Sequence, residues 1–389
     1  MSNTTDIKSF NISSVLRVLH QHKALTKTEI ASLLGLSSVT AHNLINELKK
    51  NEIVIETGDY AYSGGRRAVY YKINENFGCA IGVRMSRGSL QTTVYNISLD
   101  CLYENTVKWD MREISSCIEL IKSEIALAQE RCGKQNYLGL GITIPGHANP
   151  GGIVLNIPDR PEWNNVSIYE AIKQAVDLPI YIDNDNNAEA IAAKWSGIAN
   201  DYENYVYLST DDGTGVGVVL DGQIFYGSNY YCCEIGHISV NPDGLVCSCG
   251  NRGCLQAYTG SDAIYERIRA THPNVTSPAD VLMLYEDEDE TVREIIKQAV
   301  SYTALAIEYI IRLFDPKCII LQSKLLGASP EFLYRIEQKV FKLNKTNPNQ
   351  NTVTLVLNDQ SDIIHGVAPA CIVFNRFYSA PNRHNFDKV

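Results

Sequence analysis

The stretch Glu234-Ile235-Gly236-His237, continuing to Cys247-Ser248-Cys249-Gly250-Asn251-Arg252-Gly253-Cys254, carries the most specific chemistry in this 389-residue chain. One imidazole and three thiols fall within eighteen residues, separated by the turn-forming Pro242-Asp243-Gly244 and by two further glycines. His237, Cys247, Cys249 and Cys254 can therefore close a tetrahedral Cys3His site, the donor set of structural zinc. Four protein ligands leave no position for metal-bound water, so a metal here shapes a loop and performs no hydrolysis. The competing reading, a set of unliganded buried thiols, gives no reason for the tight Cys-x-Cys spacing. The remaining cysteines, including Cys232 and Cys233, read as small core hydrophobes.

On either side of that loop the chain alternates strands and helices. Apolar strand-like runs cover Cys79–Met85, Gln91–Ile97, Tyr137–Thr143, Ile180–Ile182, Tyr205–Ser209, Val216–Leu220 and Cys318–Gln322, with helical periodicity at 114–132, 168–176, 186–196 and 292–314. This is an α/β pattern. A composition of 45% hydrophobic and 20% charged residues excludes collagenous, coiled-coil and mainly disordered chains. No run reaches the ~18 to 20 apolar residues of a membrane span, and the opening Met1-Ser2-Asn3-Thr4-Thr5-Asp6 lacks the regions of a signal peptide. The expectation is a cytoplasmic protein with no membrane partner and with free thiols.

The net charge of −10 is unevenly spread. Residues 1–74 hold nine Lys/Arg against six Asp/Glu, so the acidic excess lies wholly in the remainder and only this piece suits a polyanion. It reads as three helices and a hairpin. Asn11–His22 places Ile12, Val15, Leu16 and Leu19 on one face; Thr26-Lys27-Thr28-Glu29 fits a capping box; Gly35 ends that second helix. Ser37 caps a third, to about Asn51, that buries Ala41, Leu44, Ile45 and Leu48 and turns Ser38, Val39, His42 and Asn43 outward. Short polar or methyl-bearing side chains at the start of a capped helix suit base edges in the major groove. Ile53–Ile55, a polar turn from Gly58 to Arg67 and Val69–Ile73 complete a wing, whose Ser63-Gly64-Gly65-Arg66-Arg67 tip offers two guanidinium groups to phosphate or the minor groove. The spacing therefore predicts a winged helix-turn-helix over 1–74 that contacts double-stranded DNA through Ser38, Val39, His42, Asn43, Arg66 and Arg67. A three-helix protein-interaction module remains the alternative.

Asn184-Asp185-Asn186-Asn187, Asp212-Gly213-Thr214-Gly215-Val216-Gly217, Glu234-Ile235-Gly236-His237 and the cysteine loop ending Cys254-Leu255-Gln256-Ala257-Tyr258 together resemble the signature series of the ROK family (repressors, open reading frames and sugar kinases). The resemblance runs over essentially the whole chain, and the N-terminal piece is similar to that of the family's xylose and N-acetylglucosamine repressors, with Ala68 where they usually have Pro. It implies a two-lobed, actin-like (ribonuclease H-like, sugar-kinase-type) body over 75–389, with a first lobe of about 75–190, a second of about 191–375, and a sugar or sugar-phosphate effector in the cleft. Carried over, Asn184, Asp185, Glu234 and His237 grip sugar hydroxyls and Gly146 approaches the ring through its backbone. Gln256 stands where the family usually has Glu. A homodimer or dimer of dimers on an operator follows from the same resemblance.

The resemblance also raises phosphotransfer. The kinases' Asp-x-Gly-Gly-Thr-Lys turn corresponds here to Gly82-Val83-Arg84-Met85-Ser86-Arg87-Gly88, with Arg84 in place of the metal-binding carboxylate and Met85 and Ser86 putting β-carbons where glycines let phosphate approach. The late Gly-Gly element reads Leu321-Gln322-Ser323-Lys324-Leu325. The expectation is a sugar-responsive repressor of carbohydrate-utilisation genes that is not an enzyme. The alternatives are an ATP-dependent sugar kinase with a DNA-binding extension and a scaffold controlled by a protein partner.

Overall fold

The computed structural model describes residues 4–63, 66–211, 213–343, 345 and 353–378. The chain opens with α1 (Thr4–His22), a two-residue strand β1 (Leu25–Thr26), α2 (Lys27–Leu34) and α3 (Ser38–Lys50), then a hairpin of β2 (Val54–Ser63) and β3 (Arg66–Ile73). Thr26 and Glu29 close the capping box in both directions, and the Ser37 hydroxyl accepts from the Thr40 amide at 3.1 Å. Val15, Leu16, Leu19, Ile30, Leu44, Ile45 and Leu48 share one core. The hairpin is longer than expected. The ladder continues through Tyr60↔Val69 to Ser63↔Arg66, with the register shift between Glu56 and Tyr60 absorbing the Gly58 irregularity, so most of the anticipated turn is strand. β-forming Tyr60 and Tyr62 explain the extension. Gly64 and Gly65 at the expected tip lie outside the described residues, as do the side chains of Arg66 and Arg67.

The body repeats one topology twice. In the first lobe β4 (Cys79–Met85), β5 (Ser89–Asn96) and β6 (Cys101–Lys108) form an antiparallel meander. α4 (Ile114–Cys132), β7 (Tyr137–Ile144), the small pair β8 (His147–Ala148) and β9 (Val154–Asn156), α5 (Ile168–Ile172) and β10 (Ile180–Asn184) follow, with β7 and β10 parallel to β4 in the order β10-β7-β4-β5-β6. After α6 (Asp185–Trp195), β11 (Tyr205–Ser209), β12 (Gly215–Leu220) and β13 (Gln223–Ile224) make the second meander. The chain then runs through α7 (Gln256–Thr259), α8 (Ser261–Arg269), α9 (Pro278–Glu286), α10 (Glu290–Phe314), β14 (Cys318–Gln322), α11 (Pro330–Leu343), β15 (Thr354–Leu357) and α12 (Ser361–Tyr378). The second sheet reads β13-β12-β11-β14-β15, the same 3-2-1-4-5 order counted from each lobe's first strand.

Strand alternation sorts the core into layers. Ile81, Val83 and Met85 of β4 pack with α4 in one cluster, and Val206 and Leu208 of β11 pack with α10 in another. The opposite faces, represented by Ala80, Tyr205 and Tyr207, meet α6 and α12 in a central cluster that also takes in α1. α12 packs on β4, β7 and α6, so the chain's end returns to the first lobe, whereas the second lobe was expected to run to about residue 375. Pro369 inside this helix masks it in the sequence, because proline lacks the amide that an interior turn uses.

Candidate functional site

A cavity of about 330 Å³ opens between the lobes, and all six residues expected to hold a sugar line it. β10 delivers Asn184 and Asp185 where the strand ends and α6 begins. Asn184 caps α6, its Oδ1 accepting from the Asn187 amide at 3.2 Å, while its Nδ2 donates to the Gly146 carbonyl at 2.9 Å. Much of its hydrogen-bonding capacity therefore holds the site together. Asp185 occupies the first helical position, where the helix dipole favours a carboxylate, and its Oδ1 accepts from the Asn186 amide at 2.8 Å. Asp183, overlooked in the sequence, is buried behind them and accepts from the Tyr226 hydroxyl at 2.6 Å and Asn187 Nδ2 at 3.0 Å. Burial pushes its carboxyl pKa up against those bonds. Gly146 is required by its own surroundings: a β-carbon there would lie 2.2 Å from the Asn156 carbonyl oxygen.

The second lobe supplies Glu234, His237 and Gln256. Glu234 sits at φ −71°, ψ 54° with Ile235 N donating to Cys233 O at 2.7 Å, an inverse γ-turn that fixes where its carboxylate points. One carboxylate oxygen is bonded to His147 Nε2, and the other lies 3.8 Å from His237 Nε2. Burial pulls the His147 pKa down, but the Glu234 bond and the Glu234 and Asp185 charges outweigh it and leave the value raised. His147 directly follows the Ile144-Pro145-Gly146 turn, which was the available clue to its place in the site. Gln256 Oε1 reaches the Thr214 amide at 3.5 Å, tying α7 to the glycine-rich turn. Gly217 of that turn packs on α6, where a β-carbon would meet the Asn186 carbonyl oxygen at 2.3 Å; Asp212 lies outside the described residues.

His237, Cys247, Cys249 and Cys254 bring their ligand atoms within 4.8 Å of one another. Cys249 Sγ and Cys254 Sγ are 3.7 Å apart, and Cys247 Sγ is 3.8 Å from His237 Nδ1. A tetrahedral ion with metal–sulfur bonds of ~2.3 Å needs sulfur–sulfur edges of ~3.8 Å, so the donor set fits a metal ion. With Nδ1 turned to the thiols, His237 Nε2 faces the cleft side. Of the other cysteines, Cys79, Cys117, Cys318 and Cys371 are buried as expected, but Cys101 is exposed, and Cys232 and Cys233 are only half-buried beside the cleft.

The two stretches compared with nucleotide-binding turns close upon themselves. Ser86 N donates to Ser89 O at 2.9 Å and Trp109 Nε1 donates to Ser86 O at 2.7 Å. Asp211 takes the Lys324 amide at 2.7 Å and Gln322 Nε2 at 2.6 Å, and Asn358 Nδ2 donates to Gln322 Oε1 at 2.6 Å. Arg84 lines the cleft. At the other end of the chain, Ser38, Val39, His42 and Asn43 are exposed on one side of α3. The His42 ring is held between Lys27 Nζ at 3.3 Å and Asn46 Nδ2 at 2.8 Å, partners the sequence had not singled out.

A sequence profile described as the ROK family matches residues 80–370. The chain belongs to the ROK family. It is similar to the xylose repressor of Caldicellulosiruptor bescii, 27% identical over 359 residues that cover 87% of this chain and 89% of that protein. It is also similar to the N-acetylglucosamine repressor of Escherichia coli O157:H7, at 26% identity covering 87% and 86%. Among solved structures, a ROK family transcriptional regulator described as a homolog of the E. coli MLC protein matches with a TM-score of 0.79 and 25% identity, covering 96% of this chain and 97% of that one. The ROK hexokinase from Thermus thermophilus matches with a TM-score of 0.65 at 20% identity, covering 77% of this chain and 100% of its own, which establishes the shared fold of the body. Among the described residues no helix is long and apolar enough to cross a membrane.

Proposed function

We propose that the protein is a sugar-responsive, DNA-binding transcriptional repressor of carbohydrate-utilisation genes that performs no phosphotransfer. The observation that carries this reading is the asymmetry of the cleft. Its carbohydrate side keeps Asp185, Glu234 and His237 around one cavity, while the turns opposite spend backbone amides on their own Ser89 and Asp211 acceptors. A phosphate cradle needs those amides unspent and closely approachable. The names of its repressor relatives support the same assignment.

In this reading residues 1–74 are the winged helix-turn-helix, with Ser38, Val39, His42 and Asn43 at base edges and Arg66 and Arg67 on the backbone or in the minor groove. Residues 75–389 form the effector and dimerisation body. Sugar hydroxyls donate to Asp185 and Glu234 and accept from His237 Nε2; the amide of Gln256 adds a neutral partner where a carboxylate is usual. Mismatched epimers leave buried groups unpaired and are rejected on that account. Zinc held by His237, Cys247, Cys249 and Cys254 supplies loop order and fixes the tautomer of His237. Lobe closure on the sugar alters the spacing of paired winged helices on an operator whose half-sites lie ~34 Å apart or a multiple of it. A ~10²-fold change in operator affinity needs about 2.7 kcal/mol of coupling, within the ordinary allosteric range.

The test is a mobility shift on the promoter of the chain's own operon with a panel of free and phosphorylated sugars, run beside ADP release with Mg·ATP. Arg66→Ala is expected to weaken DNA binding with sugar affinity unchanged, and Glu234→Ala to do the reverse. Turnover with any hexose that Asp185→Asn abolishes refutes the assignment.

A further inference from the structure

The geometry points to Cys232 and Cys233 as a reversible, peroxide-sensitive dithiol beside the cleft, whose oxidation re-aims Glu234. Neighbouring side chains in an extended segment point to opposite faces. Here Cys233 adopts φ 64°, the left-handed region that L-residues other than Asn and Asp rarely visit, and the alternation is broken. The two side chains consequently lie on one side of the chain, where the Cys232 thiol donates to the Phe225 carbonyl at 3.2 Å, and the proximity of the two thiols holds Cys232 below its usual range and Cys233 above it. Both are half-buried and accessible, and both line a small cavity with His147, Asn184 and Glu234.

The chemistry closes with peroxide as oxidant. The Cys232 thiolate attacks a peroxide oxygen, the O–O bond breaks, and sulfenic acid forms with release of one water after protonation. The Cys233 sulfur then attacks the Cys232 sulfur and expels hydroxide, which leaves as a second water with the Cys233 proton. Two thiols are oxidised to one disulfide and the peroxide is reduced. Adjacent Cα atoms lie ~3.8 Å apart, short of the ~4.4 to 6.8 Å usual for disulfides, so the bond is strained and easily returned by a cellular dithiol. That is the character of a regulatory bridge and not of a structural one.

The link to Glu234 is direct. Its γ-turn is closed by the Ile235 amide on the Cys233 carbonyl at 2.7 Å, so a new torsional restraint on Cys233 swings that carbonyl and with it the carboxylate bonded to His147. The effect on ligand affinity rests on the proposed sugar-binding role of the cleft; the modification itself does not.

The experiment exposes full-length, zinc-loaded protein to hydrogen peroxide, blocks remaining thiols with iodoacetamide and maps the digested peptides. The expected result is loss of two hydrogens on the peptide carrying both cysteines, ahead of any change at Cys79, Cys117, Cys318 or Cys371 and reversed by dithiothreitol. Cys233→Ser is expected to stop at a Cys232 sulfenic acid that dimedone traps. Full alkylation of both residues while other thiols oxidise, or a bridge from Cys232 to a different cysteine, overturns the site. Calorimetry with D-xylose and N-acetyl-D-glucosamine on reduced and oxidised protein tests the consequence, with at least a tenfold loss of affinity expected on oxidation. Equal affinity in both forms overturns the re-aiming of Glu234. Reduced protein that binds neither sugar counts against the proposed function, while the peptide map still decides the dithiol.

Discussion

Acidification from pH 7 to about pH 4 should loosen the seat of α1 on the body by about 3 kcal/mol, through His20. The imidazole is buried at 8% exposure, with Nε2 2.9 Å from the Trp195 carbonyl and the ring edge-on to the Trp195 indole at 4.5 Å between centroids. Burial lowers its pKa from 6.5 to about 4; the Trp195 carbonyl opposes this and Lys23 adds to it. The docked ring is therefore neutral and donates from Nε2. A base whose folded pKa is depressed leaves stability intact above the unfolded value and loses it as pH falls toward the folded one, because the released ring takes a proton that the docked ring refuses. The fall from 6.5 to about 4, at ~1.4 kcal/mol for each tenfold loss of proton affinity, sets the magnitude. Urea denaturation followed by tryptophan fluorescence at both pH values measures it. His20→Gln keeps an amide donor but cannot charge, so the wild-type pH slope should exceed the variant's by that amount, with Asp183 and His147 titrating alike in both. Equal slopes in the two proteins refute the reasoning.

Other outcomes follow from the site. Chelation, or Cys254→Ser, should remove about one zinc per chain and lower the melting temperature, read by metal analysis beside calorimetry. Gly146→Ala should cost roughly 1 to 3 kcal/mol in urea denaturation, since its β-carbon would lie 2.2 Å from the Asn156 carbonyl oxygen. The His147 pKa is raised, so the stabilisation it gains from Glu234 is full below its unfolded value near 6.5 and fades as pH climbs through the folded one. Wild type should lose stability over that interval and Glu234→Gln should not. Asn184→Ala should destabilise by about 1 kcal/mol for the lost cap alone.

Local chemistry was legible in the sequence, and contacts across the fold were not. The Cys3His set reads from spacing because its ligands are crowded into one loop, and β4, β11, β14 and α4 match the expected bounds because their apolar runs are uninterrupted or strongly periodic. β6 escaped notice because, as an edge strand, it carries alternating exposed polar residues, Glu104, Thr106 and Lys108. His147 and Glu234 lie 87 residues apart, so nothing in either neighbourhood announces their bond. The left-handed turn at Cys233 is likewise invisible in composition, which is why that thiol and its neighbour resembled core filler.

The placement of α6 has a mechanical consequence. Its first residue, Asp185, faces the cleft, and its last, Trp195, is seated on His20 of α1, a span of eleven residues or ~16 Å. A strut so fastened at head and foot passes a tilt from one end to the other with no pliable tether between them. Whatever tightens around Asp185 therefore has a lever on the bearing of α1.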